Sequence, residues 1–216
     1  MDKRVILFDL DGTLTDSKEG ILNCVRYALE RLGEPIPADD VLQTFIGPPL
    51  IDSFKVCCGF SDGRAREAIR LYRERFSDVG LLENALYDGV PRMLEQLQSQ
   101  GLRMSVATSK PTVYARRIVK NFGIDDCFDH VIGSNIDGTR VVKTEVIQFA
   151  LQHYPEVPIG EFVMVGDRKH DMIGARACGI DAVGVLYGYG SREELASYEP
   201  RALAESVGEL TELLSR

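Results

Sequence analysis

Two stretches of the chain carry Asp-Gly-Thr behind an apolar residue: DLDGT at 9–13 and NIDGT at 135–139. Two positions before the shared Asp, the first has Asp9 and the second Asn135. An ionised carboxylate can attack phosphorus and a neutral amide cannot. The first stretch is therefore a candidate nucleophilic loop. The second reads as a turn, because Asp supports an Asx-turn and Gly accepts a positive φ. Other polar residues stand at comparable places along the chain. Thr108-Ser109 follow the run LRMSVA, Asp167 follows EFVMVG with Asp171 shortly after it, and Lys143 opens a helical pattern. Asp, Asp, Thr, Lys, Asp, Asp is the composition of a metal-assisted phosphoryl-transfer site.

The elements that must position these residues can be read from hydrophobic periodicity. Continuous apolar runs at about 4–9, 102–107, 129–133, 161–166 and 181–186 suit buried parallel strands. Helical patterns over 89–100, 112–122, 143–153 and 170–178 alternate with them. Strand–helix alternation predicts an α/β fold with a doubly wound parallel sheet. Ligands of such sheets bind beyond the carboxyl ends of the strands, which is where the polar residues lie.

Residues 16–85 break the alternation. Ile21, Val25, Ala28, Leu29 and Leu32 form one helical stripe; Ala65, Ala68, Ile69, Tyr72 and Phe76 form another. The expected organisation is a core of 1–15 and 86–216 with a helical insertion over 16–85, joined through linkers at 11–16 and 79–88. Asp16 and Glu19 have capping-box spacing for the first inserted helix, and Gly33, Pro35 and Pro37 end it.

The chain has 216 residues, enough for a substantial core, and a formal charge of -8. With no basic run, a nucleic-acid polymer is not the expected partner. No apolar run approaches a membrane span and no signal-peptide pattern opens the sequence, so the expectation is a cytoplasmic protein starting at Met1. Five cysteines without C-x-x-C spacing read as reduced thiols.

FDLDGTLTD (8–16), VATS (106–109), Lys143 and VGDRKHD (165–171), in this order, resemble the motifs of haloacid dehalogenase superfamily phosphatases with a helical cap after the first strand. The resemblance covers nearly the whole length and implies a Rossmann-like core that hydrolyses phosphomonoesters. It implies Asp9 as nucleophile, forming an aspartyl-phosphate, and Asp11 as the acid that protonates the leaving oxygen and later takes a proton from water. The Asp9 side chain should be ionised near neutrality, at an ordinary pKa of about 3.9. Asp11 needs a pKa raised by burial and neighbouring carboxylates. Mg²⁺ would bridge Asp9, the Asp11 carbonyl and Asp167, with Asp171 a ligand or its support. Thr108 and the Ser109 N–H would hold the phosphate, while Lys143 offsets the negative charge. Lys143 lacks the following Pro of the commoner family pattern, and Lys110 is the alternative lysine.

The helical insertion is expected to choose the substrate. FIGPPLIDSFK (45–55) reads as a rigid Gly-Pro-Pro loop, with Lys55 as a substrate contact. Tyr187 and Tyr189, after the run at 181–186, either border the cleft or pack under the helical insertion. Within the superfamily, Asp11 argues against dehalogenation. The helical cap and IDGTRVVK resemble the branch of phosphoglycolate phosphatases and nucleoside 5′-monophosphatases, leaning to the latter. The expected partner is a small phosphate ester, and the expected state a monomer or homodimer. A sugar-phosphate mutase and a catalytically silent anion-binding module are the alternatives.

Overall fold

The computed structural model describes residues 3–215. The expectation of a chain start at Met1, and the outermost residues 1, 2 and 216 of the expected core, lie outside the described residues. The elements run β1 (Val5–Phe8), β2 (Thr15–Asp16), α1 (Lys18–Leu32), α2 (Asp39–Gln43), α3 (Leu50–Cys58), α4 (Asp62–Arg75), β3 (Ala85–Leu86), α5 (Val90–Ser99) and β4 (Arg103–Pro111). They continue with α6 (Thr112–Asn121), β5 (His130–Ser134), α7 (Lys143–Leu151), β6 (Phe162–Gly166), α8 (Lys169–Ala177), β7 (Asp181–Val185), α9 (Arg192–Ala196), β8 (Ala202–Ala204) and α10 (Val207–Leu214). The chain forms two compact units, one of Met1–Thr15 with Leu86–Arg216 and one of Asp16–Ala85.

The first unit is built on a six-stranded sheet of order β5-β4-β1-β6-β7-β8, with every pairing parallel. It is an α/β, Rossmann-like architecture. The four residues of β1, VILF, are fully buried. Each such side chain stabilises the fold by about 1.5–3 kcal/mol, so the strand that delivers Asp9 is firmly anchored. Val5 and Leu7 share a core cluster with Val146 and Ile147 of α7 and Met172 and Ala175 of α8. Alternation sends Ile6 and Phe8 to the opposite face, where Phe8 meets the edge of Phe128.

The strand order reverses direction at β1: the chain builds outward through β4 and β5 on one side and through β6, β7 and β8 on the other. That is the crevice position of an open parallel sheet. Strand β4 runs four residues beyond the expected end at 107, and its register with β5 shifts between Ala107 and Pro111. Such an irregularity re-aims the side chains that follow it. Strand β8 was not expected.

In the second unit, α1 buries Ile21, Leu22, Val25, Ala28 and Leu29 and packs with α4, which buries Ala65, Ala68, Leu71 and Tyr72. Ile69, expected in the stripe, is half-buried. The expected capping box is absent: Ser17 holds the N-cap position and its side chain makes no capping bond, while the Asp16 carboxylate accepts from the Lys18 N–H at 3.1 Å. Gly33 ends α1 in the left-handed region at φ 69°. The 45–55 stretch is a loop only through Pro49, the N-cap residue of α3, so Lys55 is helical. No helix among the described residues is long and apolar enough to cross a membrane.

Candidate active site

Strand β1 ends at Phe8 and hands its pairing to the next residue, whose N–H donates to the Val165 carbonyl of β6 at 2.9 Å. This fixes Asp9 at the carboxyl edge of the sheet, buried. The loop then tightens around the Leu10 carbonyl, which accepts from the N–H groups of Thr13, Leu14 and Thr15. Gly12 has φ +82°, and a Cβ there would lie 2.2 Å from Asp167 Oδ2. Only glycine suits both the conformation and that approach.

Asp167 follows β6 and is fully buried. Its Oδ2 accepts from the Tyr189 N–H at 2.8 Å and its Oδ1 from the Thr13 hydroxyl at 3.4 Å. The N-cap position of α8 belongs to Arg168, whose N–H donates to Asp171 Oδ2 at 3.1 Å. Asp167 is thus free of capping duty and points at the loop. Oxygens of Asp9, Asp167 and Asp171 lie within 4.8 Å of one another.

Lys143, the first residue of α7, reaches into this group. Its ammonium stands 2.9 Å from Asp9 Oδ1 and 2.8 Å from Asp171 Oδ1, and donates to the Ala107 carbonyl at 3.0 Å. It is buried rather than a solvated helix lysine. Burial alone would lower its pKa, but the charges of Asp171 and Asp9 outweigh this and hold it above the ordinary range. One buried cation thus faces three buried carboxylates. Burial pushes Asp9 up to about 6 against the pull of Lys143, with Asp171 adding to the rise. Asp167 is also raised, by burial and then by Asp171 and Asp9. The ordinary carboxylate pKa expected for Asp9 therefore does not hold in this environment. An all-oxygen set with excess negative charge is what a hard divalent cation accepts, and its charge would favour the ionised carboxylates.

Thr108 is buried on β4, and its hydroxyl accepts from the Lys110 N–H at 3.3 Å. It does not cap α6, whose N-cap position is Pro111. The Ser109 carbonyl accepts from the Ser134 hydroxyl at 2.8 Å. Asp11 receives a hydrogen bond from the Lys110 ammonium at 2.8 Å, a contact between residues too distant in sequence for spacing to reveal. Tyr187 closes the loop from the far side by donating to the Thr13 carbonyl at 3.1 Å. Lys55 belongs to the other unit, where it pairs with Asp62 at 2.7 Å on the exposed surface. His170 is half-buried, with a pKa lowered by burial and by Arg168 and Lys169.

The 135–139 stretch is a closed turn. Asp137 Oδ1 accepts from both the N–H and the hydroxyl of Thr139, the Gly138 N–H donates to the Asn135 carbonyl, and Gly138 has φ 89°. Its Asp is spent within its own turn.

Comparison with known proteins agrees with this geometry. Residues 6–185 match the family described as haloacid dehalogenase-like hydrolase. A curated relative from Pseudomonas aeruginosa, named 5′-nucleotidase, is 45% identical over 209 residues, covering 97% of this chain and 94% of its own. A Mycobacterium tuberculosis protein named tyrosine-protein kinase PtkA is 40% identical over 213 residues, covering 98% of this chain and 72% of its own. A crystal structure of a predicted phosphatase from Clostridium acetobutylicum superposes with a TM-score of 0.94 at 39% identity over 98% of both chains. With the family match spanning most of its length, the chain belongs to the haloacid dehalogenase-like hydrolases and is a phosphatase among them.

Proposed function

We propose that this phosphatase hydrolyses small phosphomonoesters through a phosphoryl group carried on Asp9, with Mg²⁺ held by Asp9, Asp11, Asp167 and Asp171. The observation that carries the reading is the buried Asp9–Lys143–Asp171 bridge beside Asp167 at the strand-order reversal. Mg²⁺, when bound, supplies the positive charge that lets an anionic phosphate approach these carboxylates. An Asp9 oxygen forms the bond to phosphorus as the ester oxygen leaves, and Asp11 gives that oxygen a proton. Lys143 keeps Asp9 ionised and oriented, while the Thr108 hydroxyl and the Ser109 N–H hold phosphate oxygens. Asp11 then takes a proton from the water that releases phosphate.

Catalysis is assigned to the unit containing the sheet, and substrate choice to the helical unit with Lys55. Nucleoside 5′-monophosphates are the proposed substrates, supported by the sequence resemblance and by the name of the Pseudomonas aeruginosa relative; phosphoglycolate is the next candidate. The proposed setting is the cytoplasm, as a monomer or homodimer. A phosphomonoester panel with and without Mg²⁺ tests the reading, together with acid-quenched trapping of phosphate on wild type and Asp9→Asn. Inorganic phosphate release and label on wild type alone are expected. Migration of phosphate within a hexose phosphate, or its transfer to a protein tyrosine in preference to water, would overturn it.

A further inference from the structure

We propose that Glu194 is a positioning residue that holds the Asp167 carboxylate in place for a divalent cation. The inference rests on the reading of Asp167 as a metal ligand. One oxygen of Glu194, Oε1, accepts from the Lys169 N–H at 2.8 Å and from Arg168 Nε at 3.0 Å. Both donors directly follow Asp167 in the chain, where α8 begins. The Glu194 side chain is 23% and the Arg168 side chain 15% exposed, so the contact is partly shielded from water.

The segment between β7 and α9 grips Asp167 from the other side. The Tyr189 N–H holds its Oδ2 at 2.8 Å. A Cβ on Gly188 would stand 2.4 Å from the Asp167 Cβ, and one on Gly190 would stand 2.0 Å from the Asp167 carbonyl oxygen, so the backbone comes this close only because both are glycine. Ser191 then caps α9 by accepting the Glu194 N–H at 3.1 Å. Tyr189 and Glu194 are thus two ends of one short stretch, the first bound to the carboxylate and the second to the backbone just beyond it. Leu195, fully buried in the core, anchors α9 independently of that carboxylate contact.

The Lys169 N–H is one of the donors that a helix start leaves without an intrahelical partner. Glu194 supplies its acceptor, while Asp171 takes the Arg168 N–H at 3.1 Å. The turn that carries Asp167 and Asp171 is therefore braced twice, from inside α8 and from α9. Burial alone would raise the pKa of Glu194, but the Lys169 N–H and the Arg168 guanidinium hold it below the ordinary carboxylate range. The brace is thus intact at neutral pH. Mg²⁺ demands oxygens near octahedral positions at about 2.0–2.1 Å, and oxygens of Asp9, Asp167 and Asp171 lie within 4.8 Å of one another. A small displacement of Asp167 weakens such a set, and Glu194 opposes it by acting through Arg168 and Lys169.

Cation binding in the absence of substrate tests this. Mn²⁺ affinity, followed by the loss of its free-ion EPR signal, and Mg²⁺ affinity, by displacement of Mn²⁺, are compared in wild type, Glu194→Ala, Glu194→Gln, Glu194→Asp and Asp167→Asn. Thermal unfolding in EDTA identifies the folded variants. Glu194→Ala should weaken binding by about 10–100-fold, the range for outer partners of metal-holding groups. Glu194→Gln keeps the reach and an acceptor oxygen and should bind nearly as tightly as wild type. Glu194→Asp keeps the charge but is one methylene shorter, and should fall with the Ala variant. If Glu194→Ala does not fold, the order of the other two decides, and an Asp variant at least as tight as the Gln variant would overturn the proposal. A Gln variant as weak as the Ala variant would make neutralisation of Arg168 the role of Glu194 and overturn positioning. A lowered unfolding temperature in Glu194→Ala with unchanged affinity would leave Glu194 structural and overturn it too. In each of these cases the wild type binds the cation and Asp167→Asn binds it poorly. Failure of the wild type to bind, or undiminished binding by Asp167→Asn, would instead overturn the metal assignment beneath the proposal.

Discussion

Replacing Lys143 by Met removes the buried cation between Asp9 and Asp171. At 2.9 and 2.8 Å and an effective dielectric of about 20, each contact has a gross attraction of about 6 kcal/mol. Most of that offsets the desolvation of the three charges. Measured losses on removing one partner of a buried pair are about 3–5 kcal/mol. Set against a total stability of about 5–15 kcal/mol, the variant should fold but with a much reduced margin. The pH dependence identifies the cause. The wild-type Asp9 pKa of about 6 already lies above the unfolded value of about 3.9, so protonation favours the folded state as pH falls. Without Lys143 the folded pKa rises further. Between pH 8 and 6 the variant should therefore regain up to about 1.4 kcal/mol per pH unit beyond any gain of the wild type. Urea unfolding in EDTA at pH 8, 7 and 6, followed by far-ultraviolet circular dichroism, reads both quantities. A deficit below about 1 kcal/mol, or one constant across this range, would refute the claim that Lys143 compensates the carboxylates.

Asp9→Asn should lower turnover by about 10⁴-fold or more with the fold retained, and Asn135→Asp should create no activity in that background; steady-state assays and circular dichroism of purified protein check these. Chelation should abolish hydrolysis, with Mg²⁺ restoring it and Ca²⁺ doing so poorly because of its larger, looser coordination, and full turnover in a rigorously metal-free sample would contradict this. Lys55→Ala should change the ranking among nucleoside monophosphates, phosphoglycolate and sugar phosphates more than it changes p-nitrophenyl phosphate hydrolysis; a uniform change would speak against substrate choice by the helical unit. Asp181, although partly desolvated, is held below its usual pKa by Lys3 and Arg201. Its folded pKa is depressed, so Asp181→Asn should cost about 0.5–1 kcal/mol near pH 7 after solvent screening, with the difference lost as pH falls below about 4; acid titration of both proteins by circular dichroism measures it.

The sequence discloses what periodicity encodes. Val5–Phe8, Phe162–Gly166 and Asp181–Val185 are apolar runs because both faces of their strands are covered, and α7 and α8 carry clear buried stripes. Strand β8 escapes because Ala-Leu-Ala is too short to form a pattern. The end of β4 escapes because Thr108, Ser109 and Lys110 are polar. Gly-Pro-Pro suggests a loop, yet Pro49 only sets the entry to α3. The convergence of Asp9, Asp167, Asp171 and Lys143 is readable from strand ends. The Lys110–Asp11 contact and the raised Asp9 pKa are not, since both depend on distances and burial that no local pattern records.

The position of β1 in the sheet has a consequence for moving such chemistry elsewhere. A central strand has two flanking strand ends, and Asp9 takes a neighbour from each: Thr108 on the β4 side and Asp167 on the β6 side. Strand β5 is an edge and has β4 alone. An aspartate grafted onto the turn at 135 would have one flank of protein and one of solvent, so no point substitution there can recruit the opposing half of a site. Transplanting the reaction to that edge would require a further strand beyond β5, and the loop sequence would be the smaller part of the task.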